Sequence, residues 1–403
     1  MRQVDGTRKY LIPGLWDAHV HTRSDAIDHL RLSIVNGVTS IRDMGGPWEH
    51  LERMKQWRRD IAAGALIGPR IIAAGPMLDG PGARFPVNTQ IVRTPEERRE
   101  QVRRLKAAGA DFVKAYDLLS AETFAAIAEE AKAQGLPIAG HLPFAVSPAD
   151  VSNAGYRTLE HATFLVIPLS SEGDAVSAEI RSAAPEKATD IMRAAQDRLL
   201  RSVDVNKARA LAAVFRRNGT YLEPVLANGW SAMAESRRDG RLGARMRFTP
   251  SAYRAVYNGA GLDEAFAATF WRTVDLVRLL HQEGVQLIAG TDVTAGNHII
   301  GFSLHDELAL LVRAGLSPME AIEAATRKPS RLFGFSDLGT IEAGMQADLV
   351  LLDADPLANI ENTTRIAAVM AGGRLFDRDA LGRMLTEIEQ EAARWSGTVT
   401  QVR

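Results

Sequence analysis

Leu15-Trp16-Asp17-Ala18-His19-Val20-His21 is the run from which the fold is read. It is short, mostly apolar and ends on two histidines spaced two apart. In a β-strand, residues two apart face the same way, so both imidazoles would point to one side of a sheet and could share a metal ion. Two histidines at this spacing can equally pack or cap, so the reading needs support from the rest of the chain.

That support comes from alternation. Further short β-rich runs occur at residues 39–42, 70–74, 112–116, 137–141, 158–161, 221–225 and 286–291, which with 15–21 makes eight. Helical patterns separate them. Residues 96–108 carry Val102 and Leu105 among charges and stop at Gly109; Ser120 is placed to cap the next helix. Ser147-Pro148 opens a short helix, and Ser317 with Glu320 has capping-box spacing. Eight strands with crossover helices predict an α/β fold, a closed (β/α)8 TIM barrel, over residues 15–335. Residues 336–403 change character: strand-like runs at 347–352 and 367–370, a Gly372-Gly373 turn, and an amphipathic helix over about 380–395.

Barrel enzymes place their chemistry where strands end. Besides His19 and His21, the ends of strands five and six carry His141 and His161, and strand eight ends Gly290-Thr291-Asp292. Strand four holds Lys114 inside Phe112-Val113-Lys114-Ala115-Tyr116. A lysine there is costly unless its charge is paired or removed. One reading is a salt-bridged structural lysine. The other is a lysine carboxylated by carbon dioxide, an anionic oxygen ligand for two metals. Taken together, the six residues make two overlapping metal sites.

Composition narrows the class. Lys plus Arg number 48 against 49 Asp plus Glu, so no bulk positive charge favours nucleic acid or an anionic membrane. Arg98, Arg99, Arg103, Arg104 and Lys106 are interleaved with Glu96, Glu97 and Glu100 and read as a solvated helix face. No cysteine is present, which excludes thiolate nucleophiles and Cys-ligated zinc. No apolar run reaches the about 18 residues of a membrane helix.

The assembled motifs are Leu11-Ile12-Pro13-Gly14 running into 15–21, Gly37-Val38-Thr39-Ser40-Ile41-Arg42-Asp43, Gly140-His141, Leu159-Glu160-His161 and Gly290-Thr291-Asp292. Gly344-Met345-Gln346-Ala347-Asp348-Leu349-Val350 follows in the tail. In this combination the chain resembles the amidohydrolase superfamily, in its imidazolonepropionase-like and prolidase-like branch of Xaa-Pro or Xaa-Arg dipeptidase type. The resemblance implies two divalent ions, zinc first, with manganese or iron also suited to such N and O ligands. It implies that His19, His21 and Asp292 bind the deeper ion, carboxylated Lys114 bridges both, and His141 and His161 bind the second. It further implies hydrolysis of a small-molecule amide, such as a dipeptide or N-acyl amino acid, by a hydroxide between the ions. Asp292 is then the general acid/base.

Other residues are read with their alternatives open. Tyr116 contacts substrate or roofs the metal site; Tyr221 and Glu223 share one strand face and are candidates for substrate preference. His298 follows Asp292 in a loop and could touch substrate. Arg84, in the Gly/Pro-rich loop 78–88, is either solvated or a carboxylate clamp. His305 is expected near the mouth in a supporting or packing role, and His29, His50 and His281 at surface or structural positions.

Two rival reactions keep the barrel: lactone or ester hydrolysis, and deamination, whose enzymes lack the strand-four lysine and carry an acid shortly after the strand-five histidine. Here Leu142-Pro143-Phe144 follows His141. A third rival is a non-catalytic binding or scaffold protein. Only about a dozen residues precede Ile12-Pro13-Gly14, so residues 1–14 are read as the remnant of an N-terminally truncated β-sandwich segment that joins the C-terminal strands. A homo-oligomer is expected, cytoplasmic as the sequence stands, periplasmic or secreted if an N-terminal signal is missing.

Overall fold

The computed structural model describes residues 4–22, 27–232, 240–251, 264–293 and 299–395. Strands β1 to β13 are Tyr10–Pro13, Leu15–Val20, Val38–Asp43, Arg70–Ala73, Met77–Asp79, Thr89–Ile91, Val113–Ala115, Ile138–Gly140, Tyr156–Glu160, Tyr221–Glu223, Leu349–Leu352, Ile366–Ala371 and Arg374–Asp377. Parallel pairing runs β2-β3-β4 in one arc and β10-β9-β8-β7-β5 in the other, with β6 added outside β5. The barrel's third position is thus split. β4 pairs with β3, the chain kinks through Gly75-Pro76, and β5 pairs with β7. Asp111 bridges the split: its N–H donates to the Ala73 carbonyl at 2.9 Å and its carboxylate accepts from the Ala73 N–H at 2.7 Å.

The eighth position departs from expectation. Residues 286–291 do not form a continuous strand. Only isolated parallel bridges, Leu222 with Leu287 and Val20 with Val293, tie this passage to its neighbours. The physical reason lies at its end. The Asp17 carboxylate accepts from the Thr291 N–H and hydroxyl, at 3.1 and 2.8 Å, and that N–H is shared with the His19 carbonyl at 3.3 Å. Asp292 then sits at φ 58°, outside β geometry. Closure is still complete in backbone bonds: Ala18 N–H to Ala289 O at 3.0 Å, Ile288 N–H to Leu222 O at 3.1 Å and Asp292 N–H to His19 O at 2.8 Å. Gly290 is obligatory here, since a Cβ would lie 2.2 Å from Glu223 Oε1 and 2.7 Å from the His19 Cβ.

The accessory unit, expected as a sandwich, is a single antiparallel sheet among the described residues, ordered β1-β11-β12-β13. Its register sets Leu11 against Leu351 and Ile12 against Val350, so the Ile12-Pro13-Gly14 motif leads straight from this sheet into β2. The helix Arg378–Arg394, capped by Asp377 on the Ala380 N–H, covers it with Leu381 and Met384 packed on Ile34, Val369 and Phe376. The expected Ser120, Ser147 and Ser317 caps are all formed. In the charged helix Pro95–Ala108, Arg99 and Arg103 pair with Glu129 and Glu130 of the next helix, and Arg98 is buried. No helix among the described residues is long and apolar enough to cross a membrane.

Gly140 matters because it delivers His141. It has φ 138°, and a Cβ would stand 2.1 Å from the Ala115 carbonyl oxygen. Gly140→Ala is therefore expected to cost about 2 kcal/mol or more. Urea unfolding measures it; an unchanged midpoint would mean that β8 can shift freely.

Candidate metal centre

The six expected ligands converge at one end of the barrel. His19 ends β2 fully buried, with its Nε2 3.4 Å from Asp292 Oδ1; His21 Nε2 is 3.3 Å from the same oxygen. Ligand atoms of His19, His21 and Asp292 all lie within 4.8 Å of one another. The His161 ring is 5.0 Å from His19 and 4.7 Å from His141. Lys114 rises from β7, 1% exposed, and among the described residues neither its Nζ nor His19 Nε2 has a hydrogen-bond partner. Buried polar atoms without partners are rare and call for an occupant.

Electrostatics point the same way. Burial and the Lys114 charge hold His141 well below the ordinary imidazole value; burial and His141 do the same to His161. Both are therefore neutral and able to ligate. Burial also lowers the Lys114 ammonium, which favours the free amine that carbon dioxide attacks. Burial and Lys114 work against a charge on His19, yet Asp292 and Glu160 raise it to about 10. That surplus of carboxylate around one imidazole is what a divalent cation would neutralise.

Beneath the centre lies a network that sequence reading did not find. His19 Nδ1 is 3.2 Å from Glu223 Oε2 and 3.4 Å from Glu160 Oε2. Arg42, 1% exposed, donates to both, at 2.9 Å to Glu160 and 2.6 Å to Glu223, and also to Thr158 Oγ1 and the Ala18 carbonyl. Glu223 is pushed up to about 8 by burial and the neighbouring Glu160. Burial acts on Glu160 too, but the charges of Arg42 and Lys114 and the contacts with Glu223 and His19 together outweigh it and hold it well below the ordinary value. The expectation that Glu223 meets substrate is corrected: it is fully buried under His19 and orients that ring. Tyr221, at the opposite end of the same short strand, packs with Ala18, Ile288 and Leu332, away from the mouth. His298 lies outside the described residues.

Asp117 is a second omission. Its Oδ1 lies 2.6 Å from His141 Nδ1, the partnership that fixes a ligating histidine's tautomer. Asn228 is a third. From the helix Leu226–Ala232 its Nδ2 donates to Asp292 Oδ2 at 2.7 Å. Glu307 anchors that helix start by accepting from the Ala227 N–H at 2.6 Å. His305 packs away from the centre, bonded to Thr363 and the Asn36 carbonyl. His50 is buried on Asp43 at 2.8 Å, a structural position.

A cavity of about 470 Å³ opens above, its floor formed by His21, His141, His161 and Asp292. Tyr116 stacks on His141 at 4.0 Å and lines it, as does Arg84. The helix Ala188–Arg201 and the residues Phe266 and Phe270 supply the far wall.

The chain matches the Amidohydrolase family over residues 10–183 and 272–376. It is 23% identical over 446 aligned residues to ochratoxinase of Aspergillus niger, covering 95% of this chain and 79% of that one. Among solved structures, the bottromycin amidohydrolase AH superposes with a TM-score of 0.77 at 26% identity, over 96% of this chain and 81% of the other. A putative prolidase from Bifidobacterium longum superposes with a TM-score of 0.65 at 24% identity, over 96% and 86%, and speaks to the fold. Much of the cavity's far wall, including Arg193, Gln196 and Phe270, lies in the stretch between the two matched segments.

Proposed function

The chain belongs to the amidohydrolase family, and from that premise we propose that it hydrolyses the amide bond of a small molecule, a dipeptide or N-acyl amino acid, with Asp292 as general acid/base. The observation that carries this reading is the convergence of His19, His21 and Asp292 within 4.8 Å beside a buried, unpartnered Lys114 amine. The names of two relatives, bottromycin amidohydrolase and putative prolidase, support amide-bond chemistry.

His19, His21 and Asp292 would hold the deeper ion, His141 and His161 the second, and carboxylated Lys114 would bridge them. When bound, two divalent ions supply Lewis acidity, giving a more acidic water and a polarised scissile carbonyl. Zinc suits the donor set, as do manganese and iron.

The chain's own residues do the rest. Glu223 and Asp117 each hold one histidine through Nδ1, so that Nε2 faces the centre. Asn228 holds one oxygen of Asp292 while the other faces His19 and His21. Asp292 takes a proton from the attacking water and returns it to the leaving amine nitrogen. Apolar walls exclude bulk water from this exchange.

The test is metal analysis of the purified protein, reconstitution with zinc and bicarbonate, and chromatography of a dipeptide and N-acyl amino acid panel. Two equivalents of metal with amide turnover are expected. A protein that takes up no metal and turns nothing over would instead be a scaffold. Lys114→Ala is expected to bind about one equivalent of metal, and its turnover should fall by two orders of magnitude or more. In the wild type, intact-mass measurement should find the increment of one carbon dioxide. Two full equivalents in Lys114→Ala would remove the lysine from the ligand set.

A further inference from the structure

Residues 305–307 lie on the helix Phe302–Arg313, and successive helical residues point about 100° apart, so the three reach three different parts of the molecule. His305 bonds Thr363 and the Asn36 carbonyl, and Asp306 pairs with Arg245 at 2.5 Å. Glu307, fully buried, accepts from the Ala227 N–H at 2.6 Å, and the Leu226 N–H bears on the same carboxyl. Leu226 and Ala227 open the short helix Leu226–Ala232, and the first N–H groups of a helix have no partner within it. Glu307 supplies that partner from a helix already tied down on two other sides.

The turn that leads into Leu226–Ala232 is strained. Val225, 5% exposed, has φ 56°, a left-handed conformation that a β-branched side chain strongly disfavours. Such a conformation persists only where the surroundings impose it. Here it redirects the chain from β10, whose Glu223 sits under His19, to Asn228 on the cavity side, whose Nδ2 donates to Asp292 Oδ2 at 2.7 Å. Both neighbours of Asn228 are fixed. Ala227 is held by Glu307, and Gly229 is packed so closely that a Cβ would stand 2.7 Å from the Phe270 ring.

We propose that Glu307 is a positioning residue: by holding the start of the helix Leu226–Ala232 against the strain at Val225, it keeps Asn228 on Asp292 and so fixes the direction of the Asp292 carboxylate. That role rests on the metal-dependent hydrolase reading, in which Asp292 is both ligand and general acid/base. Burial pushes Glu307 up to about 8, so at neutral pH it acts mainly as an uncharged acceptor. Glutamine reproduces such an acceptor, and leucine removes it.

The variants are Glu307→Gln, Glu307→Leu, Asn228→Ala and the double variant Glu307→Leu with Asn228→Ala. Three quantities are read in each: zinc affinity by chelator competition, amide hydrogen exchange over residues 226–232 in the metal-free protein, and kcat on the amide panel at saturating zinc. Asn228→Ala and Glu307→Leu are each expected to lower zinc affinity about tenfold, as loss of a group behind a ligand does. The double variant should be no weaker than Asn228→Ala alone, because Glu307 acts through Asn228. Glu307→Gln should match the wild type. Exchange should quicken at least about tenfold in Glu307→Leu and keep the wild-type rate in Glu307→Gln. In Glu307→Leu kcat should fall about tenfold or more with KM little changed. Additive losses in the double variant would mean a purely structural role and overturn the proposal. Unchanged exchange, zinc affinity or kcat in Glu307→Leu would overturn it too. Should Glu307→Leu not fold, Glu307→Asp, which withdraws the acceptor by one methylene, is scored by the same cycle. Turnover is scored separately. Zinc binding that follows the cycle without amide turnover would keep the positioning role and end the hydrolase reading. Amide turnover with additive losses would do the reverse, and a wild type that takes up no zinc would overturn both.

Discussion

Asp292→Asn is expected to give a folded protein whose turnover of N-acyl amino acids falls by about 10² to 10⁴-fold, the range of a lost general acid/base. The carboxylate is well placed for proton transfer. Burial pushes its proton affinity up, but the His19 and His21 rings set against its Oδ1 and the His19 charge together outweigh burial and hold it well below the ordinary carboxylate range. An asparagine amide cannot take a proton from water and pass it on. The fold should survive for two reasons. The side chains are isosteric, and Asp292 sits at φ 58°, a left-handed conformation that asparagine tolerates well. Metal held by His19 and His21 should weaken, because one anionic oxygen becomes a neutral one. Circular dichroism, metal content and kcat on the panel read these three effects apart. Near-normal kcat would end the role assigned to Asp292.

Arg42→Met is expected to destabilise the protein by about 3–5 kcal/mol, the cost of removing one partner from a buried ionic cluster. Arg42 is the cation against which Glu160 and Glu223, both fully buried, are balanced. Methionine matches much of its volume but leaves the Glu160 carboxylate without its counter-charge and Glu223 without its donor. The triple variant Arg42→Met with Glu160→Gln and Glu223→Gln should recover much of the loss, because uncharged replacements of a buried ionic cluster are often tolerated. It should not recover the orientation of His19, so its zinc affinity should stay about 10–100-fold low. Urea unfolding and chelator competition measure the two quantities independently. A single variant within about 0.5 kcal/mol of wild type would show that the cluster is not balanced by Arg42.

Both variants act on residues that differ in how legible they were. Asp292 closes a recognisable strand-end motif. Arg42 and Glu160 lie within two of the assembled motifs, but nothing local marks them as neighbours of His19, and Asn228 belongs to no motif. Strand alternation would set Glu160 and His161 on opposite faces. His161 has φ 58°, which breaks the alternation and lets both enter the barrel. The run 286–291 reads as a strand, yet only isolated bridges at Leu287 and Val293 tie this passage to its neighbours, and Asp292 between them has the same conformation.

The sequence by itself determined the barrel and, as expectations, the joining of residues 1–14 to the C-terminal strands and the six candidate ligands of the centre. Each of these depends on local periodicity and on where a short apolar run stops, which is information carried within a few residues. The tertiary structure alone decided what stands around them. It put Asp117 on His141, Glu223 under His19 rather than against substrate, Tyr221 at the far end of the barrel, and Arg84 and Arg193 on one cavity. Those neighbours are set by strand register and by close packing between segments up to about two hundred residues apart, as His19 and Glu223 are. His19 and His21 are a weak pair on their own; closure of the barrel beside Lys114 and Asp292 is what makes them part of a candidate centre.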